Sequence, residues 1–284
     1  MSDSVLLKTL PRIPSIIYTF WEGDLTVIAD LCIKLMGRMN PHWRVVVLDS
    51  TYLLERPSGY DALSVQAKSD WARTSMIAET GGVWLDATCI MLRPIESWVD
   101  VNSEALHAFL VPFGCDVAES WAFAAPSNCL LVQRWRDEFR NAIVGGFKMF
   151  NRTHDIPECL TNRLPYLTIH QALHVARQEL PNEPVHLLPS TSDEGPYGIA
   201  ERCKWDNSKI VHALSLLNLD QLSMPFIKLN GQMTKKIKFD LSAKPVGHIE
   251  KLLGAKFVKK RNILKFIVIV VCITVCFFVL KLIL

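Results

Sequence analysis

The chain opens with a strand, a helix and a second strand in close succession, and this order constrains its fold more than any other feature of the sequence. Residues 14–21 are rich in β-branched and aromatic side chains and predict a strand. Residues 25–39 carry apolar side chains at helical spacing, and residues 43–48 form a valine-rich run that we expect to be buried on both faces. A strand, a helix and a strand of these lengths predict a parallel βαβ unit, and therefore an α/β domain.

The rest of the body continues this alternation. The pattern predicts a helix over residues 66–80 that ends at Gly81-Gly82, a helix over 130–150 that breaks at Gly145-Gly146, and a helix over 166–180. Further strands are expected at residues 83–92, 106–112, 121–125, 185–189 and 210–214. One domain over residues 1–255 accounts for these elements, because single α/β domains of about 200–250 residues are common.

The C-terminal segment, residues 264–284, contains only Lys265, Thr274 and Lys281 outside the apolar set. As a helix it would be about 31 Å long at about 1.5 Å per residue, which matches the hydrocarbon thickness of a bilayer. The alternative is a buried helix that is apolar on every face, and a domain of this size rarely encloses one. The sequence therefore predicts one transmembrane helix at this end of the chain.

Basic residues precede that helix in a short neck, residues 256–263, which contains Lys256, Lys259, Lys260 and Arg261. By the positive-inside rule the neck and the body face the cytosol, which predicts a single-pass membrane protein with a cytosolic catalytic domain. Residues 1–10 include Asp3 and Lys8 and do not resemble a signal peptide. The cysteines of the body are therefore expected to be reduced, and none forms a CxxC pair.

The charge distribution excludes one large class of partners. The chain has a formal net charge of +3, but residues 256–284 hold six basic residues and no acidic ones, so residues 1–255 carry a net charge of −3. A nucleic-acid-binding domain needs positive charge across the face that meets the phosphates. We therefore expect no nucleic-acid partner.

A short stretch of chain carries the strongest chemical signal. Asp70 and Arg73 are three residues apart on the helix predicted over 66–80, so both lie on one face of it. Asp86 interrupts the apolar strand predicted over 83–92, and an ionised carboxylate there is costly unless it meets a cation or hydrogen-bond donors. From spacing alone, Asp86 is either a site residue or a structural partner of Arg73.

These residues form the pattern S-D-x-x-R followed by G-G-x-W-x-D at positions 69–86, which resembles the capsular polysaccharide synthesis proteins and related DXD-type sugar transferases (glycosyltransferase family 32-like). The resemblance extends more loosely to residues 13–21 and 225–229. It implies a GT-A fold with a Rossmann-like nucleotide-binding sheet. It also implies transfer of a sugar from a nucleotide diphosphate donor to a glycan or other acceptor, with retention of configuration.

The resemblance also implies roles for individual residues. Trp21 would lie beside the nucleotide base, Asp70 and Arg73 would hold the donor sugar and diphosphate, and Gly82 would lie against the donor. Asp86 would be the first carboxylate of a metal motif that binds Mn²⁺ or Mg²⁺. The diphosphate leaving group gains negative charge as the glycosidic bond breaks, and a divalent cation or a planar guanidinium stabilises that charge.

Arg73 is the residue on which we base the sharpest expectation. An exposed pair of Asp70 and Arg73 on a helix would contribute only about 0.3–0.5 kcal/mol to stability. A diphosphate would use the guanidinium more strongly, through paired charge-assisted hydrogen bonds. We therefore expect Arg73 to contact the donor and to matter little for folding.

The metal motif departs from the family pattern, because Thr88 stands where the DXD group has its second aspartate. The capsular subgroup shares the D-A-T sequence, so the resemblance survives, but one carboxylate and one hydroxyl make a weak site for a hard cation. His212, on the strand predicted at 210–214, is either an additional ligand or a structural histidine. His170 and His174 are four residues apart on a predicted helix, but no HExxH glutamate accompanies them.

The leading hypothesis is a hexosyltransferase. A second hypothesis is a membrane-anchored protein that binds a nucleotide sugar, or acts as a scaffold, without turnover, and Thr88 is the departure that motivates it. A metal-dependent hydrolase is disfavoured, because histidines and carboxylates do not cluster at ligand spacing.

Overall fold

The computed structural model describes residues 13–53, 55–161, 163–218, 222–237, 239–240, 247–254 and 256–257. The apolar segment 264–284, for which a transmembrane helix is predicted, lies outside these ranges, as does most of the basic neck. Among the helices of the described ranges, none is both long and apolar enough to cross a membrane.

The central sheet contains six strands, namely β1 (Ile16–Phe20), β2 (Arg44–Leu48), β3 (Gly82–Leu85), β5 (Leu106–Leu110), β6 (Ala118–Ala125) and β7 (Val185–Leu188). Their order across the sheet is β2-β1-β3-β6-β5-β7. Five of these strands run in one direction, and β6 alone runs antiparallel to its two neighbours. The predicted α/β class and the opening βαβ unit are confirmed.

Two small sheets lie beside the central one. One pairs β4 (Cys89–Met91) with β8 (Phe226–Lys228), and the other pairs β9 (Phe239–Asp240) with β10 (Lys256–Phe257). Both pairings are antiparallel. The first small sheet brings β8, from a distant segment of the chain, next to β4 and the turn that follows β3.

Helices cover both faces of the central sheet. They are α1 (Val27–Met39), α2 (Val65–Thr80), α3 (Leu130–Gly145), α4 (Phe147–Thr153), α5 (Thr168–Glu179), α6 (Gly198–Arg202), α7 (Asn207–Leu216), α8 (Gly231–Lys236) and α9 (His248–Leu253). Side chains alternate along each strand, so Ile17 and Val83 pack in one core with α1 and α7, whereas Tyr18 and Trp84 pack in the other with α2, α3 and α5. The break between α3 and α4 is at Gly146, as predicted.

The expectation that residues 43–48 are buried on both faces is wrong. Strand β2 lies at the edge of the sheet, where Val45 and Val46 are half-buried and Val47 is exposed. An apolar run predicts a strand but does not tell which neighbours that strand will have. Its place in the sheet is a tertiary property.

The single strand predicted over residues 83–92 is two strands. β3 ends at Leu85, a turn follows at residues 86–88, and β4 begins at Cys89 in a different sheet. Outside the turn residues Asp86 and Thr88 the run is apolar, because both strands are buried. Asp86 therefore lies just after the end of a strand of the central sheet, not in the middle of one.

The strand predicted at residues 210–214 is helix α7. Asp206 caps this helix, because its side chain accepts hydrogen bonds from the backbone N–H groups of Ser208 and Lys209. Only Ile210 and Leu214, four residues apart, are fully buried, which is the spacing of a helix face. His212 consequently lies on the exposed side of α7.

The expectation of reduced cysteines is wrong for one pair. Cys115, in the loop between β5 and β6, forms a disulfide with Cys159, and their Cα atoms are 6.4 Å apart. Four further cysteines in the described ranges, Cys32, Cys89, Cys129 and Cys203, are free. The bonded pair lies away from the cavity described next and cross-links the loop to the segment after α4.

Candidate active site

A cavity of about 400 Å³ opens at the edge of the central sheet where the parallel strands end. Trp21 follows the last residue of β1, and Asp86 follows the last residue of β3. Strand β6 runs the other way, so its first residues, Glu119 to Trp121, lie at the same edge. In open α/β sheets ligands bind at this edge, and these residues all line the cavity.

Helix α2 forms one wall of the cavity and carries Asp70 and Arg73. The hydroxyl of Ser64 caps its first turn, and Gly81, with a φ of +66°, ends it. Asp70 and Arg73 form an ion pair with 3.2 Å between Oδ1 and Nη1, and their side chains are 15% and 7% exposed. The ion pair confirms the predicted shared helix face, and both residues line the cavity.

Arg73 is more deeply embedded than the sequence indicated. Its Nη1 donates to Ser120 Oγ over 2.7 Å, and its Nη2 donates to Ser69 Oγ and to Asp86 Oδ1, each over 3.2 Å. The guanidinium also lies 5.3 Å from the centre of the Trp84 ring. The expectation of an exposed pair with Asp70 is therefore wrong. Arg73 joins helix α2 to strand β6 and to the turn after β3, so its replacement will affect folding as well as any ligand.

Asp86 stands at the centre of this network. Its Oδ1 accepts from Arg73 and from Trp84 Nε1, each over 3.2 Å, and its Oδ2 accepts from Lys228 Nζ over 2.6 Å. Burial would raise the pKa of Asp86, but the charges of Lys228 and Arg73 outweigh it and hold the pKa below its ordinary value. The carboxylate is ionised and fully partnered.

Lys228 is a cavity residue to which sequence reasoning gave no role. It was included in the terminal segment that resembles the family, residues 225–229, but received no role. Strand β8 pairs with β4 so that Lys228 lies opposite Cys89, three residues after Asp86. Burial lowers the pKa of Lys228, and the Asp86 carboxylate more than reverses this, so the pKa is raised and the amine stays protonated.

Thr88 and His212 do not complete a metal site with Asp86. The Thr88 hydroxyl donates to the backbone carbonyl of Leu229 over 3.1 Å, and His212 does not line the cavity. Within the described ranges, no group of three or more His, Cys, Asp or Glu side chains could hold a metal ion. With one carboxylate that already binds two cationic side chains, these residues do not fit Mn²⁺ or Mg²⁺, which prefer several oxygen ligands.

Gly81 and Gly82 have structural reasons for being glycine. Both have positive φ, +66° and +108°, and a Cβ on Gly82 would lie 2.9 Å from the carbonyl oxygen of Ile16 on β1. A Cβ on Gly81 would lie 2.4 Å from the backbone nitrogen of Ser127. Gly82 does not line the cavity, so the structure does not bring it together with the predicted donor-binding residues.

Trp21 lies at the rim of the cavity and is half-buried. Its backbone N–H donates to Leu48 of the neighbouring strand over 2.9 Å, and its indole Nε1 donates to the carbonyl of Asp24 over 3.0 Å. These bonds hold the ring at the mouth of the cavity. A flat ring in this position can stack on a base, which is the role that the resemblance implies.

The cavity lining also includes a buried pair that the sequence did not reveal. Glu119, on β6, and His170, on α5, lie 3.4 Å apart, and both line the cavity. Burial raises the pKa of nearby Asp70 to about 6, and the charges of Arg73 and His170 only partly oppose this. His174 does not line the cavity, so the two histidines of α5 do not act together.

Comparison with known proteins finds a family model that is similar to part of the chain. Residues 12–137 match the family model described as "Capsular polysaccharide synthesis protein". Among curated protein sequences, none matches the chain. The matched segment includes Trp21, Asp70, Arg73 and Asp86, whereas Lys228 and His170 lie beyond it.

Several solved structures resemble the chain at low sequence identity. The PaToxG glycosyltransferase is 13% identical, with 79% of this chain and 83% of that chain covered and a TM-score of 0.41. A glycosyltransferase involved in the glycosylation of the major capsid of PBCV-1 is 13% identical, with 78% and 98% covered and a TM-score of 0.43. The glycosyltransferase GlyE of Streptococcus pneumoniae TIGR4 is 11% identical, with 84% and 59% covered and a TM-score of 0.45.

The family model matches the segment that carries the predicted pattern at residues 69–86, and it thereby confirms the resemblance. Over residues 12–137 the chain is therefore similar to the capsular polysaccharide synthesis proteins.

Proposed function

We propose that this protein transfers a hexose or similar sugar from a nucleotide diphosphate donor to a glycan or other acceptor, within a fold of the GT-A type. One observation carries the proposal: Asp70, Arg73, Asp86 and Lys228 meet around one cavity at the carboxyl edge of a parallel-rich sheet. Such an edge is where α/β proteins bind nucleotides, and two cations there suit a diphosphate.

Each residue has a task in this mechanism. Trp21 stacks on the nucleotide base at the rim. Arg73 and Lys228 face the diphosphate and stabilise the negative charge that it gains as the glycosidic bond breaks. Asp70, Glu119 and His170 line the same cavity, where they accept or donate hydrogen bonds to sugar hydroxyls and so orient the reacting carbon. Retention of configuration is part of the proposal and follows from the resemblance to the DXD-type transferases.

The competing function is binding of a nucleotide sugar without turnover. The observation in its favour is that Asp86 is already neutralised by two cationic side chains and Thr88 is engaged with Leu229, which leaves the DXD position without a metal site. Both functions use the same cavity, so only the formation of product distinguishes transfer from binding.

The decisive measurement is a panel of nucleotide sugars against the full-length protein in detergent. A donor that binds the folded state raises the melting temperature, and turnover releases the nucleoside diphosphate. We expect one donor to do both. Stabilisation without product would favour the binding function, and neither effect across the panel would contradict the proposal.

Arg73→Lys gives the matched variant test with that donor. It keeps the charge but loses the planar fork, so we expect kcat/KM of the folded protein to fall at least about tenfold, or about 1.4 kcal/mol of transition-state stabilisation. Arg44→Lys, at an exposed position of edge strand β2, serves as the control and should turn over normally. Normal kcat/KM in folded Arg73→Lys would show that Arg73 is only structural.

We further propose that residues 264–284 anchor the protein in a membrane and that the body faces the cytosol. The apolar segment and the basic neck before it support this arrangement. The Cys115–Cys159 disulfide is the observation that opposes a cytosolic body, because disulfides persist mainly in oxidising compartments. Membrane association and the compartment of the body therefore require separate measurements.

A further inference from the structure

We propose that Lys228 takes the place of the divalent cation that a DXD-type transferase would use, so that the leaving diphosphate is stabilised by an ammonium and a guanidinium without a metal ion. This inference rests on the proposed function and adds to it the identity of the group that stabilises the leaving diphosphate. Three observations in the described residues carry it.

The first observation is the occupancy of Asp86. Lys228 Nζ lies 2.6 Å from Oδ2, while Arg73 Nη2 and Trp84 Nε1 each lie 3.2 Å from Oδ1. A metal ion that used Asp86 would have to displace a buried ammonium from the shortest of these contacts. The side chain of Lys228 is only 10% exposed, so it has little water to move into.

The second observation concerns Thr88, at the position of the second motif aspartate. Its hydroxyl donates to the carbonyl of Leu229, and the N–H of Leu229 donates to the carbonyl of Thr88 over 3.2 Å. Thr88 therefore binds the residue next to Lys228 and holds the end of β8 against the turn after β3. An aspartate at position 88 could not donate this hydrogen bond and would repel the Leu229 carbonyl.

The third observation is the capacity of the ammonium. A lysine ammonium has three N–H donors, and Asp86 takes one of them. Lys228 lines the cavity, as does Arg73, which reaches Asp86 from the other side. Both side chains are cations, and their contacts with Asp86 fix their positions. A diphosphate in the cavity would thus meet two fixed positive groups.

The reaction is balanced without any other species. The bond between the anomeric carbon and the diphosphate oxygen breaks, and its electron pair stays on that oxygen. The acceptor hydroxyl oxygen forms the new bond to the anomeric carbon, and its proton passes to the departing diphosphate. Lys228 and Arg73 keep their protons throughout and act through charge and hydrogen bonds.

The test compares turnover with and without metal, using the full-length protein and the donor identified by the panel. We expect EDTA or added Mn²⁺ to change kcat of the wild type by less than about twofold, since no metal takes part. Lys228→Met should lower kcat by about a hundredfold, the typical effect of removing one preorganised donor. KM should rise by a smaller factor. Lys209→Met removes an exposed lysine of α7 and should leave both constants unchanged.

A double variant tests the converse, that a metal ion can replace Lys228. Lys228→Met with Thr88→Asp frees Asp86 and supplies a second carboxylate, so we expect Mn²⁺ to raise its turnover at least about tenfold and Mn²⁺ binding to become visible by electron paramagnetic resonance. Wild-type turnover that EDTA abolishes and Mn²⁺ restores would overturn the inference. So would tight Mn²⁺ binding by the wild type.

The two readouts separate this inference from the proposed function. If no donor is turned over, the proposed function fails, and Mn²⁺ binding measured on wild type and double variant still decides the role of Lys228. If the variants do not fold, the EDTA and Mn²⁺ measurements on the wild type decide it alone.

Discussion

The ionised carboxylate of Asp70 destabilises the folded state, because the side chain is buried. Burial raises its pKa from 3.8 to about 6, even though Arg73 lies 3.2 Å away. A group with a raised acidic pKa binds its proton more tightly in the folded state, so the free energy of unfolding falls as pH rises from about 4 to about 6 and stays lower above pH 6. A residue that destabilises the fold near neutral pH is a candidate for function.

Asp70→Asn should therefore stabilise the protein above pH 6 while impairing transfer. At about 1.4 kcal/mol per pKa unit, we expect a gain of up to roughly 3 kcal/mol at pH 8 that shrinks towards zero below pH 4. Denaturation at pH 8, 6 and 4 measures the first effect, and kcat/KM with the identified donor measures the second. Asp61→Asn, at a side chain 89% exposed, is the control and should change neither. A destabilised, fully active Asp70→Asn would contradict the assignment.

Arg73 and Asp86 show how far residue-level reasoning reaches. Spacing placed Arg73 beside Asp70 on one helix face, and the structure confirms this contact. The contacts of Arg73 with Ser120 and of Asp86 with Lys228 join residues 47 and 142 positions apart. No local pattern reports such distances, so the burial of Arg73 was underestimated and Lys228 received no role.

At the scale of elements, the turn from α2 into β3 sets the geometry of the site. Gly81 ends α2 with a positive φ, and Gly82 starts β3 close against β1. This close approach aligns β3 so that Asp86 emerges at the cavity. Gly82 therefore serves the fold, whereas the resemblance had placed it among the donor-binding residues.

Gly82→Ala should destabilise the protein without changing its affinity for the donor. The methyl group would lie 2.9 Å from the Ile16 carbonyl at a φ of +108°, and such strain costs about 1–3 kcal/mol. The melting temperature should fall, while KM of the remaining folded protein stays normal. Gly145→Ala, near the end of α3, meets nothing within 4 Å and should be neutral. A stable Gly82→Ala that fails to bind the donor would restore its predicted binding role.

Element predictions succeeded where the signal was local. Helix α2, the break between α3 and α4 and strand β7 lie close to their expected positions, because glycine stops and hydrophobic periodicity are local features. They failed at α7, where a short apolar run concealed a helix capped by Asp206, and at residues 83–92, where one apolar run serves two sheets.

At the scale of the whole molecule, the proposed membrane association depends on segment 264–284. Deleting it should leave a folded body that no longer needs detergent, because the described core is built from residues 13–253. Membrane fractionation of both forms, and the melting temperature of the shortened form, measure this. Val270→Asp with Val275→Asp should also weaken membrane association, since a charge at the centre of a membrane helix costs about 2.5–3.5 kcal/mol. Full-length protein that stays soluble without detergent would contradict the anchor.

The compartment of the body needs its own measurement. Protease digestion of sealed vesicles reports which side the body faces, and alkylation with and without reductant reports the state of Cys115 and Cys159. A body accessible from the cytosolic side with both thiols free would favour the cytosolic proposal. A body protected from protease, with the disulfide intact, would show that the body faces the opposite side of the membrane.

The sequence by itself determined the α/β class, the four longest helices of the described residues and the cluster of Asp70, Arg73 and Asp86, because these depend on periodicity, stop signals and a pattern confined to residues 69–86. Only the tertiary structure decided which groups complete the cavity. The register of β4 against β8 brings Lys228 to Asp86, and the packing of α5 against β6 brings His170 to Glu119. Such contacts arise from the assembly of distant strands and helices, and their chemistry exists only once the chain has folded around them.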